Sequence, residues 1–258
     1  MEQLISQFRP ITLEEMSGVK LMNRIDTKFI CTLPKLRQLL GMAMDDYRMQ
    51  EINGERNMLY ETTYFDTPAF GMFTAHQHGH ANRQKLRFRT YVSSALQFME
   101  IKTKNNHGRT KKKRIAVSDM DLQDIKKCDF IGEHLRYDAA TLTPALSNSF
   151  RRLTLVNKAQ TERLTIDTQL CFHNERTGIN REMGPLVVVE VKRDGLCYSP
   201  VLAMLRELRI HPHGFSKYCM GSAFTNNNLR INRFKPKLHD VERLLQTSCE
   251  KWEVRGEE

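Results

Sequence analysis

The stretch "KLRFRTYVSSALQFMEIKTK", residues 85–104, constrains the fold more than any other. Read with the two-residue period of a strand, Lys85, Arg87 and Arg89 fall on one face, with Leu86 and Phe88 opposite. The next run repeats the pattern: Phe98, Glu100, Lys102 and Lys104 share a face, and Met99 and Ile101 lie across from them. Each strand therefore has one face suited to burial. The other carries like charges, which repel when placed side by side on a sheet.

The alternation recurs along the chain. In "ERLTIDTQL", Arg163, Thr165 and Asp167 alternate with Leu164 and Ile166; in "VVVEVKRD", Val188, Glu190 and Lys192 alternate with Val187, Val189 and Val191. Further strand-like runs fall at 24–31, 57–65, 111–117 and 151–157, bounded by Gly, Pro, Asn or Asp. Short strands in series, without regular intervening helices, predict an α+β protein built on an antiparallel meander that closes into a β-barrel. Helices are expected at 34–44, 199–208, 216–225 and about 236–252, packed outside the barrel. A single domain over 1–258 is expected, with its core at about 20–225.

A solvated sheet face is the ordinary explanation of a polar stripe, and it suffices for any one strand. Taken together the stripes are dominated by Arg and Lys, and Lys+Arg total 40 against 30 Asp+Glu, a net charge of +10. That balance points to polyanionic partners. With charged faces turned inward, an unpaired ion costs several kcal/mol, so the lumen should hold solvent and a highly charged guest. A phosphate chain suits it, because Arg forks onto two phosphate oxygens and Lys supplies a point charge.

No apolar stretch approaches the ~20 residues that cross a bilayer, and the first residues contain acids and no apolar run, unlike a signal peptide. A soluble, cytoplasmic protein without a membrane segment is expected. The six cysteines form no C-x-x-C pair, so neither a disulfide framework nor a zinc site is indicated. "HQHGH", with His76, His78 and His80, reads as a solvated loop, and "NNHG" (105–108) as a hairpin turn.

The motifs "RIDTKF", "YFDTP", "RQKLRFRTY", "FMEIKTK", "KKKRI", "ERLTID", "VVVEVK" and "FSKYCMG" occur in that order. The series resembles VTC-type polyphosphate polymerase domains, the catalytic domains of vacuolar transporter chaperones and their bacterial relatives. These belong to the triphosphate tunnel metalloenzymes, related to CYTH proteins. The resemblance implies a tunnel lined by basic residues, ATP and inorganic polyphosphate or pyrophosphate as partners, and Mn²⁺ or Mg²⁺ as cofactor. It assigns Lys28, Arg87, Arg89, Lys102, Arg163 and Lys217 as catalytic cations. Lys112, Arg114, Lys192 and Ser216 become substrate-binding residues, with Lys111 and Lys113 as substitutes if the strand register slips by one. Glu190 becomes the metal ligand, with Glu100 and Asp26 as further candidates. CYTH proteins begin E-x-E-x-K; here Arg24, Asp26 and Lys28 stand in that pattern, closer to the VTC branch.

The implied chemistry is transfer of the ATP γ-phosphate onto a growing polyphosphate chain, which requires positioning and charge stabilisation more than a covalent catalyst. Hydrolysis of the same triphosphate is the enzymatic alternative, and a binding module for polyphosphate or nucleic acid the other. The residues between the arginines point away from the basic face and offer no stacking platform, so nucleic acid is not expected.

Overall fold

The computed structural model describes residues 1–19, 24–106 and 109–253, with 17 and 247–253 as backbone alone. The tail beyond 253 and the second half of the "NNHG" turn lie outside the described residues. In chain order the strands are β1 (Arg9–Ile11), β2 (Arg24–Thr32), β3 (Tyr47–Gln50), β4 (Met58–Asp66), β5 (Arg83–Tyr91), β6 (Leu96–Lys104), β7 (Thr110–Val117), β8 (Thr143–Asn157), β9 (Glu162–His173), β10 (Asn180–Glu182) and β11 (Leu186–Asp194). The helices are α1 (Glu2–Ser6), α2 (Leu13–Ser17), α3 (Leu33–Ala43), α4 (Gly71–Gln77), α5 (Ile125–His134), α6 (Pro200–Glu207), α7 (Lys217–Thr225) and α8 (Lys235–Glu253). Among the described residues no helix is long and apolar enough to cross a membrane.

The strands form one strongly curled, mainly antiparallel sheet in the order β2-β11-β9-β8-β4-β5-β6-β7. The sequence pattern predicts a closed barrel; the ladder instead ends at β2 and β7, and no pairing joins them among the described residues. Charge explains the open edge. β7 carries Lys111 and Lys113 on one face and Lys112 and Arg114 on the other, a common way of keeping an edge strand from pairing.

Register puts the polar stripes on one face. Glu190 lies opposite Lys28 on one side and Thr165 on the other. Asp167 pairs with Arg152, Thr62 with Arg89, Arg87 with Glu100, and Glu100 with Arg114. The opposite, convex face is largely apolar away from the β7 edge. Phe29, Cys31, Val187, Val189, Leu164 and Ile166 pack with Leu36 and Leu40 of α3 and Leu205 of α6, and Leu86, Phe88, Met99 and Ile101 cluster with Ile131 of α5.

Not every helix packs outside, contrary to the expectation from sequence. Leu146 and Phe172 lie on the same face as the cations, and a Cβ on Gly221 of α7 would stand 2.6 Å and 2.4 Å from their side chains. Tyr218 of α7 stacks on Tyr64 at 5.1 Å. α7 therefore caps one end of the concave face, and Leu238 and Val241 of α8 join the cluster containing Leu186 and Val188 beside it. The "HQHGH" stretch also differs from expectation, since His76 belongs to α4. The Asp66 carboxylate accepts the Met72 and Phe73 amides at 2.9 Å each, fixing the start of that helix.

Candidate functional site

The strand period delivers the cations, and cross-strand register brings them together. Arg87 donates through Nε to Glu100 at 2.7 Å, and Lys112 reaches the other oxygen of Glu100 at 2.9 Å. Arg152 forks onto Asp167 with bonds of 2.6 and 2.8 Å, and Lys217, at the start of α7, donates to the same carboxylate. Lys28 and Lys192 both engage Glu190, the latter at 3.0 Å. Arg114 lies over the Phe98 ring at 4.6 Å. Lys112 and Arg114 thus share the concave face with Glu100, and Lys111 and Lys113 do not, which resolves the register of this strand.

At the centre of this face, Arg89 and Lys102 have no carboxylate partner among the described residues. Arg89 is 7 % exposed, and its Nε donates to Thr62 Oγ1 at 3.3 Å. Burial first, then Arg87 and Arg152, lower its pKa to about 10. Lys102 is pushed well below the usual lysine value by Arg87, by burial, by Arg89, and by Lys192 and Lys28. The last two act from β11 and β2, at the far end of the ladder, so the curl brings opposite ends of the sheet within electrostatic reach.

The remaining lysines respond in the same way. Burial, followed by Lys192 and Lys217, lowers Lys28 to about 7. Burial and then Arg152 lower Lys192 to about 7. Lys217 falls to about 8 through burial, with Asp167 opposing and Arg152 reinforcing the shift. The acids move the other way. Burial pushes Glu100 up, but Arg87 and Arg89 hold it well below the carboxylate range, and Arg152 and Lys217 do the same to buried Asp167. Burial and neighbouring cations together thus outweigh what the carboxylates offer these lysines.

Two of the expected residues sit at the margins. Arg163 shares the face and stands beside Lys192 in register, but its guanidinium donates to the Met16 carbonyl at 3.4 Å, at the rim by α2. Ser216 caps α7, accepting the Cys219 amide at 3.3 Å and the Lys85 ammonium at 2.7 Å. Arg152 and Asp167 belong to the centre, and the sequence motifs assign a role to neither. A signal exists: Arg152 has the same period-two placement, in a strand that runs eight residues further toward the N-terminus than its apolar pattern suggests.

For a divalent metal, no group of three or more His, Cys, Asp or Glu side chains is arranged to hold an ion among the described residues. Mg²⁺, however, is commonly held by one or two carboxylates with substrate phosphates and waters completing the shell. Glu190 fits that role. One of its oxygens takes Lys28, and the other has the Thr165 hydroxyl at 3.5 Å and Lys192 at 3.0 Å, both able to turn toward phosphate. Glu100 is fully buried between Arg87 and Lys112, and Asp26 is bound by Arg24 at 2.7 Å, so both fit less well.

Fold and site together define an α+β protein with a curled antiparallel sheet that gathers lysines and arginines on its concave face. The VTC domain model matches residues 23–226, and the chain belongs to the VTC domain family. No curated protein sequence matches it. Similar solved structures include a candidate adenylate cyclase from Bacillus halodurans, 14% identical, TM-score 0.49, covering 76% of this chain and 96% of that one. Another, from Vibrio parahaemolyticus, is 9% identical, TM-score 0.45, covering 77% and 97%. A Hippeastrum protein, described as a candidate adenylyl cyclase with dominant triphosphatase activity, is 14% identical, TM-score 0.45, covering 80% and 98%.

Proposed function

We propose that this chain is a single tunnel domain that transfers the γ-phosphate of ATP to a growing inorganic polyphosphate chain. The observation that carries the reading is the surplus of buried positive charge. Arg89 and Lys102 lack carboxylate partners among the described residues, and Lys28, Lys192 and Lys217 are pushed toward their neutral forms until an anion arrives. A triphosphate laid along the concave face supplies the counter-charge that these groups lack.

In this reading Arg87, Arg89 and Arg152 hold nonbridging phosphate oxygens, and Lys28, Lys102, Lys192 and Lys217 complete the cradle. These groups align donor and acceptor and stabilise the charge spread over the transferring phosphoryl group. Glu190 would hold Mn²⁺ or Mg²⁺, which when bound neutralises charge at the scissile phosphate. The acceptor's terminal phosphate is already anionic and needs no base. For a water nucleophile the carboxylates are poor bases, since Glu100 and Asp167 are held far below the carboxylate range and Glu190 is gripped by two lysines. The neutral form of a depressed lysine such as Lys28 or Lys192 is the base that hydrolysis, the second reading, would use. ATP supply suits a cytoplasmic location.

The test is direct. Purified protein incubated with ATP and Mn²⁺ should yield a ladder of phosphate chains on a gel that separates polyphosphate from free phosphate. Release of free phosphate alone would identify a triphosphatase, and tight binding with no product would identify a binding module.

A further inference from the structure

The β5–β6 stripe does not stop at the cluster described above. On β5 the same face carries Arg89, Arg87, Lys85 and Arg83, and Arg83 pairs in register with Lys104 of β6. Six residues of strand span roughly 20 Å, and a triphosphate covers only part of that length. Arg83 and Lys104 lie past the start of α7, where Lys85 touches Ser216 and, at 3.7 Å, the Cys219 sulfur.

Two more cations arrive there from the C-terminal part of the chain. The Arg233 guanidinium lies over Gly79, where an added Cβ would stand 1.9 Å from it, and it donates to the His78 carbonyl at 3.3 Å. Arg83 donates to the His80 carbonyl at 2.7 Å. Lys237, on the first turn of α8, places its ammonium over Gly214. His76, whose Nδ1 is 2.9 Å from the Cys219 sulfur, feels Lys85, Arg83, Lys237 and Lys104 together. Among the described residues none of Arg83, Lys85, Lys104, Arg233 and Lys237 forms an ion pair with a carboxylate. In the central cluster most cations have one. Backbone carbonyls hold two of these side chains in place without neutralising them.

We infer that Arg83, Lys104, Arg233 and Lys237 form a second anion site, continuous with the central cluster along β5 and β6, that binds the part of an inorganic phosphate chain extending beyond the catalytic cations. The inference rests on the proposed polymerase reading and adds a preference for chain length. A long chain engages both sites, whereas ATP or tripolyphosphate engages only the first. Because the two sites lie on one chain of ligand, the second acts at high effective concentration and raises long-chain affinity without touching the reacting phosphates.

The full chain is titrated with tripolyphosphate and with long-chain polyphosphate, as wild type and as the combined variant Arg83→Gln, Lys104→Gln, Arg233→Gln, which retains long polar side chains. The expected result is tripolyphosphate affinity within about twofold of wild type and long-chain affinity weakened about tenfold or more, with shorter product chains on the gel. Lys237→Gln alone should shift long-chain affinity in the same direction. Unchanged long-chain affinity in a variant whose parent makes polyphosphate overturns the second site alone. Equal weakening for both ligands also overturns it, since the four cations would then belong to the central cluster. A parent that binds neither ligand overturns the reading of the central cluster as well.

Discussion

Arg152 and Asp167 meet across β8 and β9 in a two-pronged ion pair at 2.6 and 2.8 Å, both almost out of solvent, and Lys217 closes on the same carboxylate from α7. One acid therefore joins the sheet to the helix that caps it. Removing one partner of a buried pair leaves an uncompensated charge and costs about 3–5 kcal/mol. Asp167→Asn strands two cations, so its apo form should melt well below wild type. Tripolyphosphate should restore much of the loss, because a ligand that binds only the native state stabilises by mass action. Calorimetric melts with and without the ligand decide this, and a variant that melts like wild type without ligand would show that Asp167 is dispensable.

Lys102 should behave in the opposite way. It has no carboxylate partner among the described residues and is surrounded by Arg87, Arg89, Lys192 and Lys28. Lys102→Met keeps the length of the side chain and removes the repulsion. Its apo form should be at least as stable as wild type, while turnover falls by about two orders of magnitude or more, on the scale of losing one positioned electrostatic donor. Loss of apo stability would mark Lys102 as a structural residue.

The depressed lysines make stability and binding depend on pH in opposite senses. Lys28 and Lys192, at about 7, and Lys217, at about 8, titrate below the unfolded value of 10.5. Between those limits the unfolded chain holds more protons than the folded one, so apo stability rises with pH from about 7 toward 10. Below about 7 all three are charged in both states and their penalty is fully present. A phosphate chain favours the charged forms, so binding at about pH 8 should draw protons from solution, and affinity should weaken above that pH. Titration calorimetry in two buffers of different ionisation enthalpy measures the uptake; equal apparent enthalpies in the two would refute it.

The period-two stripes are legible because strand geometry forces alternation, and the sequence alone sets Arg87, Arg89, Glu100, Lys102, Glu190 and Lys192 on the polar sides of their strands. The motif resemblance adds Lys28, Lys112 and Arg114 to the same face. What a single strand cannot encode is its neighbour. Asp167 reads as a polar strand residue until register sets it against Arg152, and the choice between Lys111–Lys113 and Lys112–Arg114 needs the pairing with β6. α4 is hidden for a different reason: its start depends on Asp66 and a Phe70 backbone at φ 55, which no apolar period announces. The place of α7 on the concave face turns on the close approach of Gly221 to Leu146 and Phe172, a tertiary contact that its short sequence does not specify.

Glu190 carries the last prediction. Its carboxylate holds Lys28 and Lys192 in the apo protein, and in the proposed function it becomes the ligand of the divalent ion. Glu190→Gln keeps the shape and the hydrogen-bonding capacity but removes the charge that a hard cation requires. Two effects then oppose each other. The cluster loses a negative charge, so tripolyphosphate should bind as tightly as to wild type or more tightly. The apo protein keeps two lysines without their counter-ion and should melt at a lower temperature. Turnover should fall sharply, and raising Mn²⁺ should restore part of it if phosphate oxygens alone can still hold the ion. Titration with a non-hydrolysable ATP analogue, run beside an activity series in Mn²⁺, separates these effects. Retained binding with lost activity supports Glu190 as metal ligand. Weakened binding with activity in proportion would make it an organiser of Lys28 and Lys192 instead. Near-normal turnover would exclude both roles and move the metal to Glu100 or Asp26.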